Sequence, residues 1–280
     1  MELLNVDILV VIISEYLGKK CEHFLKSMNV HKKYKYLYHE YGLIINENLC
    51  VKCPNNTRYL KIWYEMSDIS HLKNLTGVTF GNNFCDEIYS NMFPDTVKYI
   101  TFGLVFNQSI EQNFLPSSLT HLIFGDRFDM FINMHILPES LTHLTFGCDF
   151  NQPIKQYVLP SNLTHLTFGC DFNQPIKQYV LPSNLTHLTF GYLFNMPIKK
   201  NVLPPNITHL IFGSCFDKPI IKDVLPSRLK YLTFGYGFSK KIEKNALPLN
   251  LECITFCENY KYLDDVKNIV KNTIIKIQKN

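Results

Sequence analysis

Apolar and polar positions along this chain keep a single period. Phenylalanine recurs as Phe80, Phe102, Phe124, Phe146, Phe168, Phe190, Phe212, Phe234 and Phe256, each step being 22 residues. Glycine follows the first eight, and Cys257 follows the ninth. A second aromatic lies four positions on, from Phe84 through Phe238, and then Tyr260. Proline keeps the same step from Pro94 to Pro248. The segment 148–169 is repeated letter for letter at 170–191. In Leu119-Thr-His-Leu-Ile-Phe-Gly125, Leu122 and Phe124 alternate with His121 and Ile123, the period of a short half-buried strand. Gly125 then offers the positive φ that a sharp corner takes. The second phenylalanine returns to the core beside Asn107, Asn151, Asn173 or Asn195, whose side chain can bond turn backbone groups. Pro153-Ile154, Pro175-Ile176, Pro197-Ile198 and Pro219-Ile220 predict extended chain on the far side, because proline is excluded from helix interiors.

One such unit buries too little apolar surface to offset the ordering of its own backbone. Stacked units cover each other's open faces and pair their strands into a parallel ladder. A whole extra turn then lengthens the stack without disturbing a core, so the perfect duplication is tolerated. Nine turns are predicted over residues 73–260. A truncated turn over residues 51–72 precedes them, with Leu60 and Ile62 at strand positions and only 18 residues from Ile62 to Phe80. It is expected to cap the open end. Over residues 261–280, Val266, Ile269, Val270, Thr273, Ile274 and Ile277 fall at helical spacing, with Asp264 and Asp265 at the start. The alternative is a last irregular turn whose strand carries Ile275 and Ile277. The predicted class is α+β: a parallel β-solenoid preceded, over residues 1–50, by the small helical module that the family resemblance given below implies.

Composition narrows the function. The chain has 280 residues, 46% of them apolar, and a net charge of +4 with the basic residues dispersed. That is no nucleic-acid footprint. No apolar run reaches membrane-spanning length, and the N-terminus lacks the basic start of a secretory signal. Nine cysteines without a framework of spacings suggest a reduced, cytoplasmic protein. Cys50 and Cys53 form an isolated C-x-x-C without the second pair a zinc site needs. Asn74, Asn162, Asn184 and Asn206 stand in N-x-T sequons, read as products of the repeat and not as glycosylation sites. Stacked turns bring Cys148 near Cys170, although a disulfide is not expected in a reducing compartment. Lys155, Lys177 and Lys199 read as a solvated edge. No nucleophile–base pair, phosphate loop or paired carboxylate stands outside the repeat register. The chain is therefore read as non-catalytic, without cofactor or metal.

His121, His143, His165, His187 and His209 occupy one outward strand position in successive turns. Three readings apply: a metal-binding or pH-sensing ladder, a solvated row copied by duplication, or part of a partner-binding face. The ladder lacks carboxylates to orient the rings, its flanks being threonines such as Thr142 and Thr164. The favoured reading is a target-binding strand face made of Tyr99, the five histidines and Tyr231, with Cys253 interrupting the row at its end.

The unit LPxxLTHLTFGxxFNQPI, seen in Phe150-Asn-Gln-Pro-Ile154, resembles the FNIP (IP22) repeat, a relative of leucine-rich repeats. The resemblance covers about 200 residues, and such repeats are known mainly from social amoebae and giant DNA viruses of amoebae. In several viral members they follow an F-box. Leu4-Asn-Val-Asp-Ile-Leu-Val-Val-Ile-Ile-Ser-Glu-Tyr-Leu17 resembles an F-box start, with Asn5 in place of proline and one residue added before Leu17. Phe24-Leu-Lys-Ser-Met-Asn-Val30, followed by Lys32, Lys33 and Tyr34, resembles its second half. The resemblance implies that Leu4, Ile8, Leu9, Ile12, Ile13 and Leu17 dock on a Skp-type adaptor and, through it, on a cullin. It implies a substrate receptor of a ubiquitin ligase, acting in host cytoplasm if the source is viral. The alternative is an interaction scaffold or decoy whose first helices only cap the solenoid.

Overall fold

The computed structural model describes residues 43–45, 58–62, 69–270 and 272–279. Strands follow in chain order: β1 (Leu43–Ile45), β2 (Tyr59–Ile62), β3 (Gly77–Phe80), β4 (Tyr99–Thr101), β5 (His121–Ile123), β6 (His143–Thr145), β7 (His165–Thr167), β8 (His187–Thr189), β9 (His209–Ile211), β10 (Tyr231–Thr233), β11 (Cys253–Cys257) and β12 (Ile274–Gln278). They form one 12-stranded sheet in sequence order. Every pairing is parallel, and Leu122 pairs with Leu144, which pairs with Leu166. The described residues thus form a parallel β-solenoid with almost no helix. The helical module expected over residues 1–50 lies outside the described residues, except that residues 43–45 form β1. That strand pairs Leu43 with Leu60 and Ile45 with Ile62, so the sheet starts upstream of the turn carrying Leu60 and Ile62.

The core holds two columns of stacked phenylalanines beside columns of leucines. Phe124 meets Phe128 of its own turn at 3.9 Å, Phe146 of the next turn at 5.6 Å, and Phe128 meets Phe150 at 6.1 Å, all near-parallel. Leu119, Leu122 and Phe128 are fully or almost fully buried. Three tight turns close each coil. In the unit of Phe150 and Tyr157, Phe150 N–H donates to Gly147, Val158 N–H to Lys155 and Leu163 N–H to Pro160. Asparagine side chains tie the coils together: the carboxamide oxygens of Asn151 and Asn173 accept the backbone N–H of Asn173 and Asn195, each at 2.9 Å. Asp129 and Asp217 do the same with carboxylates, so the position needs an acceptor on a short side chain.

The glycine after each strand acts differently from the sequence expectation. Its φ is not in the left-handed region; what excludes a side chain is close approach. A Cβ on Gly169 would overlap the carbonyl oxygen of Gly147, and the same holds from Gly103 to Gly235. The left-handed conformation falls elsewhere, at Asn91, Asn113, His135, Tyr157, Tyr179, Asn201, Asp223 and Asn245, again 22 residues apart.

The C-terminus uses both alternatives. Helix α1 (Leu263–Ile269) buries Val266, and an ion pair joins Lys267 to Asp264 in its first turn. Val270 is already extended, with φ −104° and ψ 128°. The β-branched run Thr273-Ile274-Ile275 then favours strand. The Thr273 hydroxyl donates to the Leu251 carbonyl and Ile274 N–H to the Glu252 carbonyl, which starts β12. Thr273, Ile274 and Ile277, placed on a helix by spacing, are therefore not helical. Ile275 packs against the core, and Ile274 and Ile277 are exposed.

Candidate functional site

The strand face carries an unbroken row of rings. His121, His143, His165, His187 and His209 stack at 4.1, 4.1, 4.1 and 4.0 Å between centroids, with interplanar angles of 10–13°. Tyr99 continues the row on His121 at 4.7 Å, and Tyr231 continues it on His209 at 4.5 Å. All seven sequence-predicted face residues are thus brought together; Cys253, next in register, is buried. Parallel pairing in strict register produces this, because an outward residue of one strand lies directly over its equivalent in the next.

Threonines orient the rings. Nδ1 of each histidine lies 2.9 Å from the hydroxyl of the preceding residue, Thr120, Thr142, Thr164, Thr186 or Thr208. Each of those hydroxyls also reaches the carbonyl 22 residues back, at 3.0–3.3 Å. A carbonyl only accepts, and a hydroxyl has one hydrogen, so that hydrogen goes to the carbonyl. The ring must then donate Nδ1–H to the threonine oxygen. Nε2 is left with its lone pair, at the edge of a ring that remains partly exposed. The threonines so replace the orienting carboxylates that the sequence lacks.

Electrostatics keep the row neutral. Burial lowers the pKa of every ladder histidine. His165, in the middle, is brought to about 4 by burial first and then by the four neighbouring histidines. At the end of the row, Glu252 partly opposes the lowering at His209. Glu252 also accepts the Tyr231 hydroxyl at 2.7 Å and pairs with Lys230 at 2.7 Å. At neutral pH the face presents a line of hydrogen-bond acceptors without net charge. Among the described residues no group of three His, Cys, Asp or Glu is placed to hold a metal ion.

A shallow polar groove of about 620 Å³ runs beside the threonines, lined by Ser140, Asn162, Asn184, Asn206 and Arg228 as well. The sequence reading treated these asparagines only as sequon residues. Their carboxamide nitrogens donate across turns, Asn162 to the Glu139 carbonyl and Asn184 to the Ser161 carbonyl. The 22-residue step of Asn162, Asn184 and Asn206 was the available signal.

Ring spacing also gives the sense of curvature. It widens from 4.1 Å between His143 and His165, to 5.7 Å between Phe146 and Phe168, to 6.1 Å between Phe150 and Phe172. The turns fan apart away from the strand face, so the ladder lies on the inner side of the bend.

The family described as FNIP Repeat matches residues 73–104, 106–149, 150–193, 194–237 and 216–259. A solved structure, titled "The crystal structure of CroV588 a novel circular LRR protein structure", superposes with a TM-score of 0.74 at 42% identity, covering 81% of this chain and 34% of that one. The chain therefore spans about a third of that protein's length. No curated protein matches the sequence. Among the described residues no helix is long and apolar enough to cross a membrane.

Proposed function

The chain belongs to the FNIP repeat family, and on that footing we propose that it is a non-catalytic substrate receptor. A repeat solenoid of this leucine-rich-repeat-like kind is typical of proteins that bind other proteins. In this reading the repeats hold a target protein. The N-terminal segment with Leu4, Ile8, Leu9, Ile12, Ile13 and Leu17 docks on a Skp-type adaptor and so reaches a cullin. The ligase chemistry belongs to those partners; this chain raises the effective concentration of the target beside them.

The observation that carries the binding role is the seven-ring row from Tyr99 to Tyr231, bordered by the Asn/Thr groove. A pre-ordered, regular, uncharged acceptor surface loses little entropy on binding. It suits a partner segment rich in N–H and O–H donors. The adaptor role is carried by the apolar N-terminal pattern alone.

Size-exclusion co-elution of the full chain with a purified Skp-type adaptor tests the reading. Wild type co-elutes, Leu9→Asp/Ile12→Asp does not, and a His143→Ala/His165→Ala/His187→Ala variant still does. Failure of the folded wild type to co-elute removes the ligase role and leaves an interaction scaffold or decoy.

A further inference from the structure

The duplicated segment places two thiols against each other. Cys148 and Cys170 hold equivalent positions in adjacent turns, each directly after the glycine that permits close stacking. Their Sγ atoms are 2.7 Å apart, and both side chains are partly exposed. A disulfide bond is about 2.05 Å long, and it accepts Cα separations of about 4.4–6.8 Å, a range that includes the ~4.8 Å spacing of parallel neighbours. The sulfurs thus need only a small further approach. Their column is occupied by Asp126 on one side and Tyr192 on the other, so no third thiol stands beside the pair in register.

We propose that Cys148 and Cys170 form an oxidative modification site, closing to an inter-turn disulfide on reaction with a low-molecular-weight disulfide such as oxidised glutathione. The Cys148 thiolate attacks one sulfur of the oxidant; the S–S bond breaks and one glutathione thiolate leaves. The Cys170 thiol loses its proton and attacks Cys148 Sγ, expelling the glutathione held there. Two protein thiols are oxidised, one oxidant molecule is reduced to two thiols, and two protons pass to the thiolates produced. The cross-link joins two identical turns in the middle of the stack and closes a short loop, which restrains the unfolded chain.

The reaction has a built-in brake. The Cys170 thiol is raised to about 11, first by its hydrogen bond with Cys148, then by burial, with Asp171 and Asp126 adding to it. Thiolate is the attacking form, so closure quickens as pH rises from 7 to 9.

The test incubates the reduced full-length chain with oxidised and reduced glutathione at graded ratios, followed by alkylation, trypsin and mass spectrometry. Peptide 128–155 carries Cys148 and peptide 156–177 carries Cys170. The expected product is these two peptides joined, absent from Cys148→Ser and Cys170→Ser. Each single variant retains glutathione on its remaining cysteine. Oxidation raises the melting temperature of the wild type and leaves that of Cys148→Ser unchanged. Both cysteines still open to alkylation under oxidising ratios, wild type carrying only mixed glutathione disulfides, or a cross-link whose yield scales with protein concentration would each overturn the proposal.

Discussion

The Thr164 hydroxyl gives its hydrogen to the Thr142 carbonyl at 3.0 Å and takes one from Nδ1 of His165 at 2.9 Å. That relation assigns His165 the Nδ1–H tautomer, which is the minor form of a free histidine side chain in water. Nitrogen-15 NMR of the imidazoles checks it. In the wild type His165 shows a protonated Nδ1 and an unprotonated Nε2. Thr164→Val removes the acceptor, and His165 moves toward the ordinary mixture. An unchanged His165 spectrum in Thr164→Val would refute the assignment.

The same ladder makes stability depend on pH. The folded pKa of His165 is about 4, below its ordinary value of 6.5, and its four neighbours are lowered too. As pH falls below about 6.5, the unfolded chain takes up protons before the folded one. The ladder's contribution is therefore complete above pH 6.5 and is lost as pH drops toward 4. Solvent at the ring edges screens part of it. Melting temperature should decline between pH 7 and 5, before most carboxylates titrate. His143→Asn/His165→Asn/His187→Asn should flatten that decline. An equal decline in the triple variant counts against the ladder as its source.

Gly169 tests the close-approach role of the corner glycines. Its missing Cβ leaves room for the carbonyl of Gly147, a backbone atom that no rotamer change can move. Gly169→Ala must force the turns apart. A loss of about 1–3 kcal/mol is expected from overpacking of this kind, read as a fall in urea midpoint of the full chain. A change within about 0.5 kcal/mol, the range of ordinary surface substitutions, would show that the approach is looser than described.

The repeat architecture was legible because one physical constraint recurs every 22 residues in Phe124, Phe146 and Phe168. Burial enforces such a column strictly, and spacing alone reveals it. The ring row was legible for the same reason, since register carries His143 over His165. Its chemistry was not. The Thr164 acceptor depends on a carbonyl 22 residues away, and only the stacked geometry shows that the hydroxyl's hydrogen is already used. The role of Gly169 was misread because a glycine required for space and one required for positive φ look alike in sequence. Residues 273–277 were ambiguous because Ile274, Ile275 and Ile277 satisfy strand and helix spacing at once; β-branching decided for strand. Tyr157 gave no sign of its left-handed backbone, because tyrosine is not a residue that signals it.

Tyr157 and Tyr179 therefore offer a test in which the protein gains stability. They sit at φ 67° and 65°, the third residue of a tight turn, where Asn91, Asn113, Asn201 and Asn245 serve in other units. Left-handed backbone costs an ordinary L-residue about 1–2 kcal/mol, and asparagine much less, because its short side chain bonds locally. Both tyrosines are 70% exposed, so replacing them forfeits little burial. Tyr157→Asn should stabilise the chain by about 0.5–1 kcal/mol, and Tyr157→Asn/Tyr179→Asn by roughly twice that, within the usual scale of turn optimisation. The reverse exchange at the same turn position of the next unit, Asn201→Tyr, should cost a similar amount. Urea midpoints of the three variants measured side by side decide it. Loss of stability in Tyr157→Asn together with no loss in Asn201→Tyr would mean that the exposed tyrosine rings contribute more than the strain they impose.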